Sequence, residues 1–191
     1  MLDSIAVGEL LKVPTLARAR VVGGHDGLRR LVRGVNVMEV PDILDWVKPD
    51  ELLLTTAYPL RDDSVALEAL IPRLAERGLA GIALKPGRYL KAIPNAMIDA
   101  ANEHAFPLIE LPPDASFNDI INSVLTVILN VQSVQLQRSA AIHDRFTRIA
   151  LSGGGLRQIA EALADLIGRP VTIVDAQNAI QWRTSDEAPV I

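Results

Sequence analysis

The sequence predicts an α/β fold: a layered, largely parallel sheet with flanking helices, followed by a long helix and the beginning of a second α+β domain. Three observations predict it. Between residues 51 and 111, short apolar segments alternate with helical patterns, the order that builds parallel sheets through crossover connections. Residues 51–56, ELLLTT, begin as a continuous apolar run, as strands buried on both faces do. Residues 117–151 keep helical spacing with neither Pro nor Gly, far beyond the average helix of about 11–12 residues.

The elements follow in order. Residues 4–12 suggest a short helix capped by Ser4 and stopped by Pro14. Residues 19–22 read as a strand, closed by Gly23-Gly24-His25-Asp26-Gly27, a turn needing positive φ. This is no phosphate loop, because the GxxxxGK[ST] ending is missing and a strand follows. Residues 32–40 form a loosely alternating strand ended by Pro41, with a short helix over 42–47. Ser64 is expected to cap a helix to about residue 77, in which Pro72 predicts a kink or a later start. Gly78 suits the position just after that helix. A strand over 81–85, a helix opened by Pro94 and running to about 104, and a strand over 107–111 complete the first domain. The crossovers should be right-handed.

This domain is placed at residues 1–115, with a connecting helix within 116–152. Residues 153–191 hold Gly153-Gly154-Gly155, an amphipathic helix over 156–167, and strands over 169–175 and 179–182 joined by a turn at 176–178. One helix and one hairpin cannot bury a core alone, so this segment reads as the truncated start of a second domain.

The 191 residues are 49% hydrophobic with a mean hydropathy of +0.24, which excludes disorder as the main state. With two Trp, two Tyr and three Phe, aliphatic side chains must build the core. The absence of cysteine excludes disulfides and thiolate metal sites and suits a reducing compartment. The N-terminus carries Asp3 and Glu9 and lacks a basic signal-peptide region. No apolar run reaches the ~18 residues of a membrane span, so a cytoplasmic location without membrane contact is expected. The net charge of −4 and pI of about 5.4 argue against direct DNA contact, which usually needs a basic face. Arg29, Arg30 and Arg33 form the dense basic cluster, either a solvated strand entrance or an anion or partner contact.

Catalytic chemistry finds little purchase. His25, His104 and His143 are not in metal-binding spacing, and no serine sits in a GxSxG elbow. No metal, cofactor or catalytic residue is expected. The acidic cluster Glu39, Asp42, Asp45, Asp50 and Glu51 flanks proline turns, where carboxylates serve local capping. The better candidate is a small-molecule site, because ligands of parallel sheets bind beyond the carboxyl ends of the strands. Thr55 and Thr56 end one strand there, and Lys85, Arg88 and Tyr89 follow the next. Glu39 stands behind them, and Glu110 ends a third strand. Along the long helix, Phe117, Ile120, Val124, Val127, Val131 and Val134 make a near-heptad seam. Between residues 118 and 137 the only charge is Asp119. Such a helix is expected to hide most of its surface, part against the first domain and the rest against a second copy, with packing within one chain alone as the alternative.

The stretch LRRLVRGVNVMEVPDILDWVKPDELLLTTAYPL resembles the N-terminal domain of PucR-type (purine catabolism regulator-like) bacterial transcription factors. Val32, Arg33, Val35, Val37, Glu39, Trp46, Val47, Glu51, Leu52, Leu53, Leu54, Thr55 and Thr56 match that family's pattern. The segments VGELLKVPTLARARVVGGHDGLRRLV and LAERGLAGIALKPGRYLKAIPNAMIDAANEHAFPLIELP extend the similarity over about residues 4–130. Two departures fall near the presumed site. Ala57 replaces the usual glycine after Thr-Thr, and Lys48-Pro49-Asp50 replaces the usual Gly-Gly. The resemblance implies the sensory part of a cytoplasmic transcription regulator: a homodimer with a small-molecule effector, a GAF-like second domain, and DNA contact only through a C-terminal helix-turn-helix absent here. The alternatives are a protein-interaction module without a small ligand, or a small enzyme acting on a metabolite in the strand-end pocket.

Overall fold

The computed structural model describes residues 4–87, 89–177 and 179–184, the side chains of Gln135 and Arg138 excepted. The chain divides into two compact units, Met1–Ser133 and Val134–Ile191.

The first unit bears out the α/β expectation. It opens with β1 (Ile5–Ala6) and the short helix α1 (Val7–Leu10), then β2 (Arg20–Gly23), β3 (Leu31–Val32), β4 (Gly34–Val37) and β5 (Glu51–Thr55). Helix α2 (Ser64–Glu76), β6 (Gly81–Leu84), α3 (Asn95–Glu103) and β7 (Leu108–Glu110) follow. The central five-stranded sheet has the order β2-β7-β6-β5-β4. Strands β4 to β7 are parallel, and β2 alone runs antiparallel on the β7 edge.

The pleat sends alternate residues to opposite faces, and each face has its own core. Leu53, Ile82, Leu84 and Leu108 meet α2 and α3 through Leu67, Leu70, Ile71, Leu74, Met97 and Ala101. Leu52, Leu54, Ala83 and Ile109 meet Val7, Leu10 and Leu16 near the N-terminus and Ile120, Val124 and Ile128 beyond β7. The result is three layers, with strands buried on both sides as the ELLLTT run predicts.

Three local expectations change. Residues 5 and 6 are extended, pairing with β3 as Ile5 against Val32, and Ser4 caps nothing. The amides that open α1 are satisfied instead by a neighbouring segment, Val7 N–H to Arg30 and Gly8 N–H to Leu28, each at 2.9 Å. The strand expected over 32–40 splits at Arg33, whose amide donates to the Asp50 carbonyl at 2.8 Å. Before that residue the chain pairs with β1, after it with β5. Helix α2 is capped by Asp63 rather than Ser64: the Asp63 carboxylate accepts from the Ala66 amide at 2.9 Å. It runs through Pro72, whose missing hydrogen bond would fall to Glu68 on the exposed face. In the glycine turn, Gly24 has φ +69, and a Cβ there would lie 2.0 Å from the Phe106 carbonyl oxygen.

Helix α4 (Phe117–Leu151) runs for 35 residues. Its inward residues Ile120 and Val124 are buried in the first unit's own core, with Phe117 packed at the margin. Those members of the predicted partner-facing seam therefore cover this chain's own sheet. Val127 and Val131 are half-buried, and Val134 is exposed. The exposed apolar residues of α4 include Leu125, at 40%, and Leu129, at 61%. An 18-residue window of α4 has a mean hydropathy of 1.2, so the helix is long and apolar enough to cross a membrane by length and composition. A helix that packs against protein on one face shows the same composition.

In the second unit, α5 (Leu156–Ile167) precedes a hairpin of β8 (Thr172–Val174) and β9 (Ile180–Arg183). Arg145 and Asp165 pair at 2.7 Å. Asn178, expected in the hairpin turn, lies outside the described residues.

Candidate ligand site at the carboxyl edge of the sheet

Four parallel strands deliver their carboxyl ends to one edge of the sheet, where ligand sites of such sheets form. A cavity of about 290 Å³ lies there, lined by Thr56, Lys85, Pro86, Gly87, Tyr89 and Pro113. That is the lower end of the range for small-molecule sites. Thr56 directly follows β5, the loop after β6 supplies Lys85, Pro86, Gly87 and Tyr89, and the segment after β7 supplies Pro113.

The two threonines part company. Thr55 is fully buried, and its hydroxyl accepts from the Ala57 amide at 2.9 Å. This bond holds the turn in which Ala57 takes φ 59, a left-handed conformation, at the position where the family pattern has glycine. Thr55 thus shapes the loop, and Thr56 lines the cavity.

Lys85 continues the ladder through its amide, which donates to the Thr55 carbonyl at 2.8 Å. Its Nζ donates to the Ala115 carbonyl at 3.0 Å and lies 4.9 Å from the Phe117 ring centroid. The Gly87 amide donates to the Leu90 carbonyl at 2.7 Å and closes the loop. Tyr89 packs against Tyr58, centroids 4.5 Å apart and rings tilted at 56°. Arg61 covers Tyr58 at 4.1 Å.

Glu39 is exposed beyond β4 and is not among the lining residues. Arg88 lies outside the described residues. Glu110 is engaged across the sheet edge by Arg20 at 3.0 Å. Of the sequence candidates, the cavity therefore gathers Thr56, Lys85 and Tyr89. Pro86 and Gly87, in the strand-end segment from which those candidates come, line it too, and Pro113 was missed, although the Pro112-Pro113 stop directly after a strand end was its available signal.

The site offers a cation, a hydroxyl-bearing residue, an aromatic ring and proline walls, which suits binding more than bond-breaking. Two carboxyls are held below their usual range. Asp114 is lowered by the hydrogen bond from Arg18, and Asp175 by the backbone N–H of Ala179. Asp114 is exposed and Asp175 half-buried, and neither lines the cavity. Among the described residues, no group of three or more metal-ligating side chains gathers.

This is a layered α/β domain with a largely parallel sheet, and comparison with known proteins gives its kin. The purine catabolism regulatory protein-like family matches residues 9–128. The chain is 40% identical over 167 residues to a purine catabolism regulatory protein of Bacillus subtilis, covering 87% of this chain and 32% of that protein. It is 25% identical over 143 residues to the transcriptional activator PmfR of Paenarthrobacter nicotinovorans, covering 75% of this chain and 30% of that one. The chain belongs to the purine catabolism regulatory protein-like family. It spans about a third of the length of these relatives. Both are regulators by name, and the chain stands with regulators rather than with enzymes.

Proposed function

We propose that this chain is the sensory part of a cytoplasmic transcription regulator, acting in purine catabolism as its Bacillus relative does by name. A small metabolite binds in the cavity at the carboxyl edge of the sheet. Helix α4 mediates pairing with a second copy, and a helix-turn-helix outside these residues contacts DNA. The observation that carries the ligand reading is the cavity itself, built from three strand ends of a sheet whose neighbours in sequence are regulators.

Thermal unfolding with a panel of nucleobases and small carboxylic acids tests it. A binding metabolite raises the midpoint in a concentration-dependent way, stabilising by about 2.7 kcal/mol at a hundred times its Kd, and Tyr89→Ala removes the effect. If nothing in the panel moves the midpoint, the ligand reading fails and a protein-interaction module takes its place.

A further inference from the structure

Lys85 belongs to two structures at once. It lines the cavity, and its ammonium is held by the Ala115 carbonyl and the Phe117 ring, at the start of α4. An ammonium has three donors, and Ala115 takes one. No carboxylate is among the cavity's lining residues. Glu110, at the end of the neighbouring strand, and Asp114, beside Ala115, are paired elsewhere, with Arg20 at 3.0 Å and Arg18 at 2.6 Å. Among the described residues, Lys85 has a neutral carbonyl and a ring as partners but no counter-ion. Beside the hydroxyl-bearing Thr56, the walls Tyr89, Pro86 and Pro113 are flat or apolar.

From this we infer that the cavity takes a small planar carboxylate, and that Lys85 passes the binding event to the start of α4. The inference rests on the ligand-binding reading above. A carboxylate is a stronger acceptor for an ammonium than a neutral carbonyl, and an ammonium paired with an anion loses much of its attraction to a ring. The bound ligand therefore draws Nζ off Ala115 and Phe117. That frees the segment leading into α4, whose first helical bond joins the Ile120 amide to the Ser116 carbonyl at 3.1 Å. Lys85 is a positioning residue for this helix as well as a ligand contact.

The test uses the whole chain with orotate and uracil, the same ring with and without a carboxylate. Calorimetry should show orotate binding at least about tenfold tighter than uracil, with a similar loss in Lys85→Met, as removal of a charged hydrogen bond predicts. Lys85→Arg, which keeps charge and donors, should retain orotate and so separates a lost contact from a damaged fold. By amide hydrogen exchange, orotate should speed exchange at Ile120 in the natural chain. In Lys85→Met that exchange should already be fast and indifferent to orotate. Equal affinity for orotate and uracil, or full orotate affinity in Lys85→Met, overturns the carboxylate assignment. Orotate binding with unchanged or slower exchange at Ile120 overturns the coupling. If neither compound binds while another metabolite raises the unfolding midpoint, this inference fails and the sensor reading stands. If no metabolite binds at all, both fail.

Discussion

Single residues at the ends of α2 and α3 show how one backbone requirement is met in two ways. After α2, Gly78 takes φ 79, and the Leu79 and Gly78 amides return to the carbonyls of Leu74 and Ala75. After α3, the same pair of bonds runs from Phe106 to Ala101 and from Ala105 to Asn102. There the left-handed position is held by Ala105, at φ 43. An L-residue with a Cβ pays about 1 kcal/mol for that conformation. Ala105→Gly should therefore stabilise the chain by about 1 kcal/mol, read as a higher urea midpoint; an unchanged or lower midpoint would contradict the strain argument. Ala57 is different, because its methyl is buried and glycine would lose roughly 0.8 kcal/mol of burial in exchange for the relief. The same helix end decides the role of Arg30, which the sequence leaves open between solvated entrance and partner contact. Its guanidinium donates to the carbonyls of Ala105, Leu79 and His104 at 3.0, 3.1 and 3.3 Å and lies 5.4 Å from the Phe106 ring. It caps α3, where a cation favours the helix dipole.

At the scale of elements, caps and turns carry measurable parts of the stability. Replacing the Asp63 carboxylate leaves the Ala66 amide without its acceptor, so Asp63→Ala should cost about 1 kcal/mol, seen as a lower denaturation midpoint with unchanged slope. In the second unit, Asp175 organises the β8–β9 hairpin. Its carboxylate accepts from the Gln177 and Ala179 amides at 2.9 and 2.8 Å and from the Gln181 amide group at 2.9 Å. These bonds lower its pKa in the folded hairpin, the Ala179 N–H most of all. The unfolded chain then binds the proton more readily. The stabilisation is fully present above the ordinary value of 3.8 and is lost as pH falls through the lowered folded value. The protection of the Ala179 amide, its exchange relative to an unstructured chain at the same pH, should fall as pH drops through that window and stay constant above it. Asp175→Asn, which cannot ionise, should flatten the profile.

At the scale of the whole molecule, α4 is the element whose surface asks for a partner. Ile120 and Val124 are satisfied by the chain's own sheet, while Leu125 and Leu129 project outward. If a second copy covers them, Leu129→Asp should convert a dimer to a monomer by sedimentation equilibrium, with the unfolding midpoint of the first unit nearly unchanged. A natural chain that is monomeric at its highest soluble concentration would remove the dimer from the proposed mechanism.

The order of strands and helices, the parallel sheet, the length of α4 and the edge where a ligand site would form are all determined by the sequence alone. Each is written in local signals: apolar runs, helical periodicity, and prolines and glycines at boundaries. The tertiary structure alone decided which threonine of the pair points inward, which face of α4 the sheet consumes, and what holds Lys85. It also turned residues 5 and 6 from the expected helix into a strand, by offering β3 as a partner. These outcomes depend on contacts between residues far apart in the chain, such as Lys85 with Ala115 or Ile5 with Val32. No local periodicity encodes such a contact, because its free energy exists only once the intervening chain has folded.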